Sequence, residues 1–254
     1  MRSSILSASQ ILPALTHLST FAAYAASLLG INLSGEQVRR FERLTQLLLT
    51  WNERMNLTAI TDPSEIAIKH YLDALTLRRV VPEFDGLRLI DVGAGAGFPG
   101  LPLAIAFPRL QVTLMDSTAK KLRFINEVAE SLALDNVHTL QARAEDAGRD
   151  RLHREAYDIV VARAVARLPV LLEYTLPLCK LGGQVIAMKG ASAYDESNAA
   201  AKAFSALGGE LFTIEEVNLP TLDNPRYLVV IDKVYPTPKR YPRKAGTPSR
   251  QPLL

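Results

Sequence analysis

A chain of 254 residues, 48% hydrophobic and 22% charged, has room for one large α/β core and a composition that excludes wholesale disorder. Its single cysteine, Cys179, and four histidines exclude a disulfide framework and a cysteine-built zinc site, so no metal is expected and a reducing cytoplasm is the expected compartment. The net charge of +3 comes from the last 22 residues, where Lys233, Lys239, Arg240, Arg243, Lys244 and Arg250 stand without an acid; residues 1–232 hold 23 basic and 26 acidic groups. That asymmetry fits a polyanionic partner such as nucleic acid, or else a solvated tail.

Residues 3–35 carry no charged side chain. Gln10, Pro13, His17 and Asn32 interrupt the stretch, so it lacks the roughly 18–20 apolar residues of a membrane span, and Ala23-Tyr24-Ala25 is only a loose match to a cleavage site. Residues 1–18 read as a loose extension, with the first helix beginning at Thr20 and ending at Leu29. Residues 19–82 read as a helical segment. Ser34 and Gln37 form a capping box ahead of Val38, Phe41, Leu44, Leu48, Trp51 and Met55 at steps of three or four. Asp62-Pro63-Ser64-Glu65 opens a further helix running to about Arg79.

From Arg88 the rhythm alternates. Strands are expected at Leu89–Val92, Gln111–Met115, Val137–Gln141, Tyr157–Ala162 and Gln184–Met188, the last after a Gly182-Gly183 turn. Helices are expected at Leu101–Phe107, Thr118–Leu132, Leu168–Leu178 and residues 195–207. Two late strands, Leu211–Val217 and Tyr227–Val234, leave no room for a helix between them and should pair antiparallel. The fold class is therefore α/β: a doubly wound, Rossmann-like, mostly parallel sheet spanning residues 83–235 and closed by an antiparallel hairpin. Residues 236–254 form a basic, proline-rich tail that should stay extended, track phosphates and leave cofactor affinity alone.

Ligands of such a sheet sit past the carboxyl ends of its strands. The first turn there, Asp91-Val-Gly93-Ala-Gly95-Ala-Gly97-Phe98-Pro-Gly100, fits two templates. Gly95-x-Gly97-x-x-Gly100 followed by Asp116 fits a dinucleotide fingerprint, which would make the protein a nicotinamide or flavin oxidoreductase. Asp91-x-Gly93-x-Gly95-x-Gly97 fits the S-adenosylmethionine loop of a methyltransferase. The long segment before the first strand, the acid Asp91 near that strand's end and the closing hairpin favour the second. A non-catalytic RNA-binding protein is a further alternative. Asp116 could hold ribose hydroxyls or cap the next helix. Glu145, with Ala144, falls where a loop would close over adenine, or is a solvated loop acid.

The end of strand four usually carries the chemistry in this architecture. It holds Arg163, a permanent cation that cannot take up a proton. No Asn/Asp-Pro-Pro-Tyr sequence or Pro-Cys pair is present, and Cys179 ends a helix as core. An acceptor with no proton to lose, such as guanine N7, suits this arrangement, with Arg163 on the cofactor carboxylate or on guanine O6.

At these residues the chain resembles the bacterial 16S rRNA guanine-N7 methyltransferases, the glucose-inhibited division protein B family. The matching stretches are Trp51–Thr58, His70–Asp73, Ile90–Gly100, Leu114–Ser117, Ala144-Glu145, Ala162-Arg163-Ala164, Met188-Lys189-Gly190 and Arg240–Pro248. The resemblance implies methyl transfer from S-adenosylmethionine to N7 of one guanine in the decoding-region hairpin of 16S rRNA. It implies cofactor contacts at Gly93, Phe98, Ala144, Glu145 and Arg163, with Asp116, Ser117 and Thr118 against the adenosine; Gly95 and Gly97 belong to the same loop. Phe98 could instead be tucked under the helix. No general base is expected. Asn56, His70 and Asp73 form an acceptor-side wall or a capping and core-polar set, and Lys189 meets phosphate or solvent. Lys239, Arg240, Arg243 and Lys244 are expected to contact RNA. The implied partner is 16S rRNA or a precursor of the small subunit, met by a monomer away from membranes.

Overall fold

The computed structural model describes residues 8–254, with side chains from residue 17 onward. Helix α1 spans Ala8–Leu29, so it begins well before Thr20 and takes in most of the stretch expected to be loose. Its inner face carries Leu18, Phe21 and Ala25, spaced by three and four and all buried. Helix α2, Gly35–Met55, starts at the expected Ser34–Gln37 capping box and buries Phe41, Leu44, Leu47 and Leu48. Asp62 caps α3, which covers residues 63–79, through the Glu65 N–H at 3.0 Å. This helix is not regular. It is α-helical at Pro63–Ile66, widens to π geometry at Ala67–Leu72, returns to α at Asp73–Leu75 and tightens to 3₁₀ at Thr76–Arg79. The wide turn carries Lys69 and His70, and such turns occur often at functional sites.

Seven strands follow: β1 Arg88–Val92, β2 Gln111–Asp116, β3 Val137–Gln141, β4 Tyr157–Arg163, β5 Cys179–Lys189, β6 Gly209–Val217 and β7 Arg226–Lys233. They lie in the order β3-β2-β1-β4-β5-β7-β6. All pairings are parallel except those of β7, which runs antiparallel to both β5 and β6. Successive residues of each strand feed opposite cores. Leu89, Val112, Val161 and Val230 meet the N-terminal helices, and Ile90, Met115, Val160 and Val229 meet the other layer.

Between the strands lie α4 Gly100–Ala106, α5 Ala119–Ser131, α6 Ala144–Ala147, α7 Leu168–Thr175, α8 Ala193–Asn198 and α9 Ala201–Leu207. Several local expectations differ. α7 ends at Thr175 rather than Leu178, and the helix expected at residues 195–207 is split into α8 and α9. Gly182, at φ 75°, lies within β5 rather than ending a turn before it. Cys179 is buried core, as expected, but it opens β5. No described helix is long and apolar enough to cross a membrane.

The N-terminal helices share their core with the sheet. Tyr71 packs against Phe21 and Phe41 and reaches Phe98 of the glycine loop, its ring centroid 6.0 Å away. Gln37 of α2 donates to the carbonyls of Ile105 and Ala106 at the end of α4, both at 2.9 Å.

The C-terminal segment corrects the expectation of an extended tail. Lys233 is completely buried and donates to Leu176 O and the Thr237 hydroxyl, with Glu155 as its counter-ion. Arg154 donates to the carbonyls of Thr237 and Tyr241, and Arg149 to that of Pro242. Arg243 forks onto the buried carboxylate of Glu173 at 2.7–3.1 Å. The prolines remove N–H donors, but arginine side chains take the carbonyls of Thr237, Tyr241 and Pro242, so the segment packs without belonging to a sheet. It ends in a short helix, α10, Thr247–Arg250.

Candidate active site

Strand order reverses between β1 and β4, and there a cleft of about 450 Å³ opens past the strand ends. Four loops wall it: Gly93 after β1, Asp116 to Thr118 after β2, Ala144 and Glu145 after β3, and Ala164 and Val165 after β4. Gly93 sits at φ 73°, and a Cβ there would lie 2.7 Å from Val165 Cγ2. Only glycine lets the two loops close on each other.

Asp116 is the brace of the cleft. Its Oδ2 accepts the Gly95 N–H at 3.1 Å and lies 3.4 Å from Lys121 Nζ, while its Oδ1 accepts the Thr118 N–H at 2.8 Å. Both sequence readings of this residue have a basis. It holds the start of α5, and an ionised carboxylate with roughly four acceptor positions still has capacity toward the cleft.

Gly95 and Gly97 shape the loop from outside the cleft's lining; Leu101 and Ile125 fill the space a Gly97 side chain would need. Phe98 is also outside the lining. It is buried, stacked on His70 with centroids 4.5 Å apart and rings 11° from parallel, and Arg163 lies over it at 5.6 Å. Asp91 is wholly buried and its Oδ2 accepts the Gly100 N–H at 2.9 Å, tying the loop to α4. Oδ1 has no hydrogen-bond partner, and burial pushes the carboxyl up to about 7.

Lys121 on α5, Tyr174 on α7 and Ser249 from the C-terminal segment line this wall without having been singled out in the sequence, and Gly246 lines it too, though the sequence pointed only to its stretch, Arg240–Pro248. Glu145 links the two parts of the wall, since its Oε1 accepts the Gly246 N–H at 2.9 Å. It is buried rather than a solvated loop acid.

A second cleft, also about 450 Å³, adjoins the first and shares Ala164 with it. Lys69, His70 and Asp73 of α3, Arg163 at the end of β4, Lys189 at the end of β5 and Arg226 at the start of β7 line it. Arg163 belongs to this second cleft and not to the lining of the first. Its Nη1 donates to Asp73 Oδ2 at 2.9 Å and to Lys69 O at 3.2 Å. Its Nη2 lies 3.3 Å from His70 Nδ1.

Because a guanidinium only donates, Nδ1 of His70 must be the accepting nitrogen, and the ring proton is assigned to Nε2. That proton is donated to Thr58 Oγ1 at 2.9 Å. Burial, helped by the Arg163 cation, lowers His70 to about 4. At neutral pH the imidazole is therefore uncharged, with its lone pair already engaged.

The acids of the second cleft are engaged too. Burial pushes the Asp73 carboxyl above its ordinary value, with Arg163 and then Arg226 opposing it. Burial works the same way on Glu196, but Lys189, Ser192 and the Leu168 N–H outweigh it and hold the carboxyl below its ordinary value. Lys189 Nζ reaches Glu196 at 2.8 Å and Ala166 O at 2.6 Å, so it is neither solvent-facing nor free for phosphate.

Asn56 closes α2 in the left-handed region, at φ 44°, and lines neither cleft. The expected RNA contact at Arg243 is corrected, because its guanidinium is spent on Glu173 and on Gln251 O. Lys239, Arg240 and Lys244 are exposed.

Residues 37–223 match the family model described as rRNA small subunit methyltransferase G, GidB. A ribosomal RNA small subunit methyltransferase G from Acetivibrio thermocellus is 50% identical over 228 residues, covering 90% of this chain and 93% of the relative. One of the same name from Lactiplantibacillus plantarum is 50% identical over 226 residues, covering 88% and 93%. Among solved structures, a 16S rRNA (adenine(1408)-N(1))-methyltransferase from Catenulisporales acidiphilia is similar in fold alone, with TM-score 0.50, 16% identity, and 61% of this chain and 88% of that one covered.

Proposed function

The chain belongs to the GidB family, rRNA small subunit methyltransferase G, and from that premise we propose that it methylates N7 of one guanine in the decoding-region hairpin of 16S rRNA. It is an S-adenosylmethionine-dependent rRNA methyltransferase. The oxidoreductase and the non-catalytic RNA-binder are set aside by this membership.

The first cleft fits the cofactor. Its size is within the range of small-molecule sites. Gly93 leaves backbone open to close approach, Asp116 offers a carboxylate at the end of β2, and Ala144 with Glu145 stands at the adenine side. Bound there, S-adenosylmethionine supplies a sulfonium-activated methyl group, which the in-plane lone pair of N7 can take without losing a proton.

The observation that carries the N7 reading is the state of His70. Arg163 occupies its lone pair, and burial keeps it neutral. Asp73 and Glu196 are tied to cations. Among the described residues of the second cleft, the imidazole and both acids are each held by a cation, Asp73 through Oδ2 while its Oδ1 accepts no hydrogen bond, and what these residues do is place a base and exclude water. Phe98 supports this from below by fixing the planes of His70 and Arg163. Ala164 lines both clefts, which supports a reading in which methyl donor and acceptor meet there.

The enzyme acts in the cytoplasm as a monomer on 16S rRNA or a small-subunit precursor, with Lys239, Arg240 and Lys244 on phosphates. Incubating the purified protein with labelled S-adenosylmethionine and small-subunit rRNA, naked and assembled, should yield 7-methylguanosine on nucleoside analysis. A different labelled nucleoside would refute the N7 assignment, and retention of RNA without label would return the binder.

A further inference from the structure

We propose that residues 236–254 are a cofactor-binding hook: they close the first cleft at its adenine side, and Ser249 and Gly246, with Tyr174 of α7, contact the adenosine. The inference rests on the methyltransferase reading above. It adds a part of the chain that neither the glycine loop nor the strand-end residues include.

The placement follows from three connections. Gly246 and Ser249 line the same cleft as Asp116 and Gly93. The Gly246 N–H is donated to Glu145, the residue whose loop forms the adenine side, so hook and loop make one continuous wall. Gly246 sits at φ 80°, and this left-handed turn lets the chain enter α10 while its N–H points back at the carboxylate.

The hook is built to hold this position. Glu173 is fully buried on α7, one residue before Tyr174, and Arg243 answers it with both its backbone N–H and its guanidinium. An unpaired buried carboxylate is costly, so Glu173 and Arg243 register the hook against the helix that supplies Tyr174. Ser249 itself is exposed on the open side of the cleft and donates to Gly246 O at 3.1 Å. Its oxygen keeps accepting capacity for an exocyclic amine, and the Tyr174 ring offers an apolar face for a flat heterocycle. Adenine carries both features. A bound adenosine and a docked hook must then stabilise each other equally.

The test uses full-length protein and S-adenosylmethionine by titration calorimetry. Ser249→Trp puts a large side chain into the cleft from an exposed position, where the core does not need the serine. Its Kd should rise at least tenfold with an unchanged melting temperature of the free protein. Trypsin cleavage after Lys244 and Arg250 of the wild type should slow at least fivefold on saturation with S-adenosylmethionine, a readout that does not depend on how the variant folds. A Ser249→Trp Kd within twofold of wild type, or cleavage rates indifferent to the cofactor, would overturn the proposal. Wild-type protein that fails to bind S-adenosylmethionine would instead defeat the methyltransferase reading on which it stands.

Discussion

Arg163 and Asp73, 90 residues apart, meet at 2.9 Å in the second cleft, and their pairing joins the irregular helix α3 to the end of β4. The carboxylate is almost entirely buried, and a second guanidinium, that of Arg226, stands 3.7 Å from its other oxygen. This contact makes the N-terminal helices part of the wall of the second cleft. Asp73, the first residue after the wide turn of α3, and the Lys69 carbonyl within that turn fix Arg163, and Arg163 fixes the tautomer of His70.

Asp73→Ala should cost about 3–5 kcal/mol of stability, because it leaves Arg163 without its counter-ion in a half-closed cleft. Urea unfolding measures this. A loss below about 1 kcal/mol would mean that solvent already screens the pair.

The pH dependence of methyl transfer should lack an ascending limb at pH 6–7. His70 is lowered to about 4 in the folded protein, so its neutral form persists down to that pH. Because the folded value lies below the unfolded one, the linked stability is complete above pH 6.5 and is lost as pH falls toward 4. His70→Ala should reduce the single-turnover rate through misplacement of the acceptor while keeping the shape of the profile. A titration step present in the wild type and absent in the variant would show that His70 acts as a base.

Asp91 predicts the opposite stability trend. Its carboxyl is raised to about 7, chiefly by burial, so the folded state binds the proton more tightly than the unfolded chain. Stability from this group is full below about pH 4 and is lost as pH rises to 7. Asp91→Asn should flatten that decline relative to the wild type in denaturation curves taken across this window. Parallel curves would mean that the group ionises freely.

Asp116→Ala should weaken S-adenosylmethionine by roughly 1.5–3 kcal/mol, the scale of charge-assisted hydrogen bonds. The change removes the brace on Gly95 together with the carboxylate proposed to accept the ribose hydroxyls. Calorimetry showing an unchanged Kd would leave Asp116 as the support of α5 alone.

Replacing Lys239, Arg240 and Lys244 together should lower the slope of log K against log salt for rRNA by about three units at most, close to one per phosphate contact. Arg243→Ala should instead destabilise the fold by about 3–5 kcal/mol, because it strands Glu173. If Arg243→Ala lowered only the salt slope, the Arg243–Glu173 pair would not hold in solution.

Much of this molecule is determined by its sequence alone. The capping box at Ser34, the strand–loop–helix around Gly93, the alternation of strands and helices and the closing hairpin are local or periodic features. Their signals lie within a few residues of the structure they specify. The same holds for Asp116, the last residue of β2, and for Glu145, which follows β3 by four residues. Tertiary structure alone decided which charges are available. Arg243 and Lys189 look like cations free for RNA, and Asn56 looks like part of the acceptor wall. Each is spent instead, on Glu173, on Glu196 or on ending a helix. Nor could composition reveal that a proline-rich basic segment packs, because Arg149, Arg154 and Glu145, which receive it, lie 83 to 101 residues away along the chain. A side chain's partner is set by where the backbone returns to. Over such separations that depends on the packing of the whole sheet, and no local pattern encodes it.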